Sequence, residues 1–187
     1  MYTEYTVLLA ESGIFLKFSE VANLLEIGKK IVYGKTGVCT VVGQCEKELS
    51  RNVKKQYFVL KHFGSDTNTI FVPVENNKVF MRSLISKEEA KDLINRIPEI
   101  IGSTADIELS KEQYELMVST HNPEDLMGLT VRLHAKRKDA LANRNKPGFI
   151  DEKYMALAEK LLFGELAEVL ETPYDEIKKE ILEKFKV

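Results

Sequence analysis

The residue pattern changes period once, near Ser86, and that change constrains the fold more than any other feature of the chain. From Lys29 to about Arg82 the sequence is rich in β-branched and aromatic residues, punctuated by Gly, Asn, Asp and Ser. It predicts strands at Ile31 to Tyr33, Val38 to Gln44, Gln56 to His62, Thr69 to Val74 and Val79 to Arg82. Five short strands in about fifty residues suit a small SH3-like or Tudor-like antiparallel β-barrel. Pro73 lacks a backbone donor, so its strand is expected at an edge or at its own end there.

After Ser86 the apolar spacing turns helical. Ser86-Lys87-Glu88-Glu89 reads as a capping box, followed by Ala90, Leu93, Ile94 and Ile97, and Pro98 is expected to stop that helix. A loop is expected from Glu99 to Leu109. Ser110-Lys111-Glu112-Gln113 is a second capping box, opening a helix with Tyr114, Met117 and Val118. Asn122 and Pro123 supply a cap and a first-turn proline for a helix reaching Ala142, with Leu126, Leu129, Leu133 and Ala140 on one stripe. After the turn-rich ANRNKPGFI, Asp151 is the expected cap of a helix carrying Tyr154, Leu157, Ala158, Leu161 and Leu162. Thr172-Pro173-Tyr174-Asp175 starts the last helix, with Ile177, Ile181, Leu182 and Phe185 inward. The expectation is an α+β chain, a β-barrel followed by a bundle of four or five helices. The first 25 residues leave two readings open: a hairpin of YTVLLA with IFLKF across Glu11-Ser12-Gly13, and a helical turn or two at SEVANLL.

Of 187 residues, 44% are hydrophobic, enough for a sizeable core in one domain or two small ones. No run approaches the ~18 apolar residues of a membrane span, and the start lacks the pattern of a secretory signal, which makes the cytoplasm the default location. Cys39 and Cys45 have no His or further Cys nearby, so they read as structural thiols, and His62, His121 and His134 form no metal-ligand pattern. No cofactor or metal is expected.

An enzyme needs reactive groups that converge, and none can be located. Gly34-Lys35-Thr36-Gly37 holds the Gly-Lys-Thr of a phosphate loop. The earlier glycine that such a loop needs is missing, and a β run follows where a helix should. A turn between two strands, with both glycines supplying unusual backbone angles, is the better reading.

Charge is unevenly spread. Between Met127 and Gly148 six basic residues (Arg132, Lys136, Arg137, Lys138, Arg144, Lys146) face one acid, Asp139, so this window carries +5 in a chain of net charge −2. Such density is what neutralising several backbone phosphates requires, though lysines and arginines also simply solvate a helix face. No base-reading motif accompanies the cluster, so any contact would be to backbone or DNA shape.

Three stretches, IGKKIVYGKTGVCTVV, KKQYFVLKHF and NTIFVPVENNKVFMRSLISKEEAKDLI, together resemble the N-terminal module of the CarD/CdnL family of bacterial transcription regulators. That module is shared with the polymerase-interacting module of transcription-repair coupling factor. The phrase beginning VPVENN is the most specific portion, and EKYMALAEKLLFGELAEVL resembles the family's penultimate helix more weakly. The resemblance covers about Glu26 to Val187 and leaves the first 25 residues as an extension or a misplaced start. It implies a Tudor-like RNA polymerase-interacting domain over 26–98 and a helical DNA-contacting domain over 99–187, in a monomeric, non-enzymatic transcription regulator. The implied partners are the β subunit of bacterial RNA polymerase and promoter DNA at the upstream edge of the melted bubble, where the protein would alter open-complex stability.

Docking in the family adds the barrel's exposed strand edge to a polymerase strand. By position the corresponding residues here are Lys47, Glu48, Ile70, Phe71 and Val72, with period 2 putting Phe71 on the face opposite Ile70 and Val72. Three departures stand out. Gly34-Lys35-Thr36-Gly37 replaces the common Pro-His-His-Gly, Phe71 stands where a basic residue is frequent, and the chain has no Trp to match the family's minor-groove wedge. The matching region reads Asp106-Ile107-Glu108-Leu109. DNA contact is therefore assigned to Ile107 as a weak apolar wedge, to Lys111, and to the cluster Arg132, Lys136, Arg137, Lys138, Arg144 and Lys146. The alternative is an adaptor that docks on RNA polymerase without touching DNA.

Overall fold

The computed structural model describes residues 6–8, 15–17, 25–50, 53–63, 69–74, 79–104 and 109–185, and the chain divides into two compact units, Met1–Leu84 and Ile85–Val187.

In the first unit, β1 (Thr6–Leu8) and β2 (Phe15–Lys17) pair antiparallel, which is the hairpin reading of the N-terminal segment. The helical turn expected at SEVANLL lies, apart from Leu25, outside the described residues. The main sheet holds β3 (Lys30–Tyr33), β4 (Gly37–Ser50), β5 (Val53–His62), β6 (Thr69–Pro73) and β7 (Met81–Ser83) in the order β6-β5-β4-β3-β7, antiparallel throughout. All five expected strands are present. The barrel expectation needs correction, because β6 and β7 are the two ends of this order and do not pair, so the sheet is open.

The strand expected at Val38 to Gln44 is twice as long as forecast, because β4 runs on against β5 past the reach of β3. A register shift between Val41 and Gly43 marks a bulge, which keeps Val41 buried on one face while Gly43 shifts to the other. The buried face of the sheet gathers Leu25, Ile31, Tyr33, Cys39, Val41, Phe58, Leu60, Val72 and Met81. Cys39 is thus a core thiol, and burial pushes the Tyr33 hydroxyl up from its ordinary value, with Cys39 adding to the effect. Pro73 closes edge strand β6, so its missing donor interrupts no central ladder.

Gly34-Lys35-Thr36 forms a single 3-10 turn between β3 and β4, closed by Gly37 N–H donating to Gly34 C=O. Both glycines have positive φ, 44° and 91°. The His62 ring sits 3.1 Å from the Thr36 carbonyl and ties β5 to this turn.

The second unit is helical: α1 (Lys87–Asn95), α2 (Ile97–Thr104), α3 (Lys111–Ser119), α4 (Pro123–Ala142), α5 (Phe149–Leu170) and α6 (Tyr174–Lys184). Both capping boxes form as read, at Ser86 with Glu89 and at Ser110 with Gln113, and Asn122 caps α4 ahead of Pro123. Two expectations are corrected. The first helix does stop ahead of Pro98, at Asn95, but Pro98 is also the second residue of α2, where its missing N–H has no intrahelical partner to lose, so helix replaces much of the expected loop and six helices among the described residues replace four or five. Asp151 is not a cap either, since α5 starts two residues earlier behind Gly148 and draws Asp151 into its first turn.

The helical core is continuous from Leu93 and Ile97 through Val118, Leu129 and Leu133 to Leu162, Phe163 and Ile181. The apolar stripes read from the sequence face inward, with Met117, Ala140, Leu157, Leu182 and Phe185 at the margins. Glu165 is 1% exposed and accepts the Ile85 backbone N–H at 3.0 Å, which fixes the start of the unit to the middle of α5.

Candidate functional site

Two surfaces collect the residues singled out by sequence. The first is the outer face of the sheet beside β6. Val59 pairs with Phe71 on one side and Gly43 on the other, so these residues share a face, and Lys47, four residues beyond Gly43, shares it too. Phe71 is 40% exposed while Val72 is fully buried and Ile70 packs at the core's margin, as alternation requires. The Lys47 ammonium lies 3.0 Å from the centroid of the Phe71 ring. A cation seated on an aromatic face is held there by the ring quadrupole, so strand position 71 presents an aromatic body with a positive charge on top. Val72 has only backbone left to offer a partner. Glu48 sits farther out, opposite Lys54, on the exposed end of the β4–β5 ribbon, where Lys54 pairs with Glu46 at 2.8 Å and Gln56 donates to Glu46 at 3.2 Å.

The edge itself has the chemistry of a docking strand. β6 is hydrogen-bonded on one side, to β5, and its other side meets no strand among the described residues. Unpaired edge amides and carbonyls are a template for another chain's strand.

The second surface is the basic cluster at the end of α4. The structure neutralises part of it. Lys136 lies 2.9 Å from Asp151, and Arg137 lies 3.4 Å from Glu152, both acids belonging to the first turn of α5. Tyr114 completes the first pair by donating its hydroxyl to Asp151 at 2.9 Å, and the Lys136 ammonium lies 3.5 Å from the Tyr114 hydroxyl oxygen. Burial and the bond to Asp151 raise the Tyr114 hydroxyl's pKa, and the bond to Asp151 raises that of Lys136. A shallow cavity of about 230 Å³ lies between these side chains and the Asn145 to Gly148 turn.

Lys138, Arg144 and Lys146 are exposed and have no ion-pair partner among the described residues. Arg132 is partly buried, and its Nε has no hydrogen-bond partner among them. Lys111 pairs at 3.7 Å with Glu115 one turn along α3. Ile107 lies outside the described residues.

Sequence reasoning missed two polar assemblies. In one, Tyr154 donates to Glu115 at 2.7 Å, a bond that pushes the phenol up to about 12. In the other, Glu159 accepts from His134 at 2.6 Å and from Lys178 at 2.7 Å, joining α4, α5 and α6. Burial alone would push the Glu159 carboxyl up; the bonds from His134 and Lys178 outweigh it and hold the carboxyl below its ordinary value. The available signal was a charged residue on an otherwise apolar helical stripe, since Glu159 stands at helical spacing from Met155, Leu162 and Phe163.

No group of three or more metal-ligating side chains gathers among the described residues, and none of their helices is long and apolar enough to cross a membrane. What the geometry defines is a class: a small antiparallel β domain with a free edge, joined in one chain to an all-helical unit. The β domain can be placed further. Residues 25–85 match the family model of the CarD-like/TRCF RID domain, a span that contains every strand of the five-stranded sheet, so this segment is similar to that domain. No curated protein matches the chain.

Proposed function

We propose that the chain is a non-catalytic transcription regulator that docks on the β subunit of bacterial RNA polymerase through β6 and contacts promoter DNA through its helical unit, altering the stability of the open complex. The observation that carries the docking half is the exposed edge strand with Phe71 outward beneath Lys47, inside the segment matched to the CarD-like/TRCF RID domain. A strand added to this edge would gain main-chain hydrogen bonds, with the ring and its cation selecting the partner's side chains. Lys47 supplies a positive charge next to position 71, reaching across β5 from β4. The DNA half rests on Lys138, Arg144 and Lys146, whose charges no described residue neutralises. Any such factor shifts the closed-to-open equilibrium only by its differential affinity for the two states.

The test of docking is capture of bacterial RNA polymerase by the wild-type chain and by Phe71→Glu. A glutamate at an exposed position leaves the fold intact but places an acid beside Lys47 and removes the ring, so capture should fall at least ten-fold. Full capture by the variant would remove the edge strand from the interface, and no capture by the wild type would remove polymerase as the partner. A second reading, an adaptor that docks on polymerase without touching DNA, is favoured by one observation: Lys136 and Arg137 are already paired with Asp151 and Glu152.

A further inference from the structure

Phe149 is 81% exposed, more than any other large hydrophobic side chain among the described residues. Leu141 (57%), in the last turn of α4, and Ile150 (39%), the next residue of α5, are also exposed. The exposure does not come from a loose loop. Phe149 is the first residue of a 22-residue helix, whose first turn is closed by Glu152 N–H donating to Gly148 C=O at 3.0 Å. Asp151, two residues on, is clamped by Tyr114 and Lys136. On the other side, Asn145 N–H donates to Ala140 C=O at 2.8 Å and Pro147 fixes its own φ. The ring therefore stands on a stiff mount.

The segment around it carries charge of one sign, and the two acids that follow, Asp151 and Glu152, are paired with Lys136 and Arg137. From Leu141 to Ile150 there is no acid, while Arg144 and Lys146 are exposed and unpaired among the described residues. Lys146 and Phe149 are three residues apart, so their Cα atoms lie within about 11 Å, close enough for one short strand to meet both. A rigid aromatic face beside free cations is the chemistry of single-strand binding, since every base has a π-face to stack and every nucleotide has a phosphate to neutralise. An apolar protein partner would account for the ring and leave the cations unused.

We propose that Phe149 is a stacking residue for an unpaired nucleic-acid base, with Arg144 and Lys146 taking the adjoining phosphates. The proposal rests on the DNA-contact reading above and adds to it a preference for unpaired over fully paired DNA.

The full chain at low salt is titrated against a single strand carrying 2-aminopurine and against a matched duplex, as wild type, Phe149→Ala and Phe149→Trp. The wild type should change the 2-aminopurine emission. Phe149→Ala should lose that change and bind the single strand on the order of ten-fold more weakly, with duplex affinity and salt slope kept, and Phe149→Trp should restore both. If the wild type binds with a salt-dependent affinity and Phe149→Ala matches it on the single strand, the stacking role is overturned and the DNA-contact reading stands. If the wild type shows no salt-dependent binding to either probe, both are overturned. Loss of polymerase capture by Phe149→Ala with nucleic-acid binding unchanged would assign the residue to a protein partner instead.

Discussion

Gly37 has φ 91° and ψ −146°, a combination only glycine adopts without strain, whereas at Gly34, with φ 44°, a Cβ would also stand 2.7 Å from Val79 Cγ1. The two glycines of the turn therefore differ in what they forbid. Gly37→Ala should destabilise the β unit by about 1–3 kcal/mol, read as faster amide exchange in β3 and β4. Gly43→Ala is the control, because nothing lies within 4 Å of the added methyl and its φ is not positive, and it should change exchange little. The turn was legible in the sequence because Gly-Lys-Thr-Gly between two β runs has few other uses. The seating of Lys47 on Phe71 was not, since the two residues are 24 positions apart and meet only once β5 lies between them. The side-chain direction of Phe71 followed from alternation alone.

At the scale of elements, most local signals held, Asp151 as a cap being an exception, and distant ones did not. Two capping boxes and an Asn-Pro start each reported on three or four neighbouring residues, and each formed where expected. Pro98 was legible as a break and not as a start, because a proline shows that a helix cannot continue through it and does not show which side the helix lies on. The link from His134 through Glu159 to Lys178 was invisible because it joins three helices. It has a measurable consequence in pH. The folded state holds the Glu159 carboxyl below its ordinary value of 4.5, so its contribution to stability is present above that value and is lost as pH falls through the depressed one. Glu159→Gln should lower stability at neutral pH by about 1–3 kcal/mol. The deficit should shrink below pH 4.5, as seen in urea denaturation followed by circular dichroism across pH. A deficit that does not vary with pH would mean that the carboxylate's charge contributes nothing.

For the whole molecule, the sequence overstated the electrostatics. The +5 window counted charges along the chain, and it could not count Asp151 and Glu152, which follow just beyond it and fold back onto Lys136 and Arg137. The cations left to meet phosphate are Lys138, Arg144 and Lys146. Reversing these three to glutamate should reduce the slope of log affinity against log salt by about 0.9 for each phosphate no longer neutralised, measured on the polymerase–promoter complex. Reversing Lys136 and Arg137 should instead destabilise the start of α5, with less effect on the slope. An unchanged slope for the triple variant would leave the adaptor reading. Finally, the hydrogen bond from Ile85 to Glu165 spans 80 positions and sets an order of events on the ribosome. The sheet has its last strand by Ser83, and α1 can wind at once behind its capping box, but the Ile85 N–H just ahead of it cannot meet its carboxylate acceptor until Glu165 emerges. At ordinary synthesis rates that is a wait of about 4–16 s. During it the apolar side of α1, with Leu93 and Ile94, is open to whatever chaperone meets the nascent chain first.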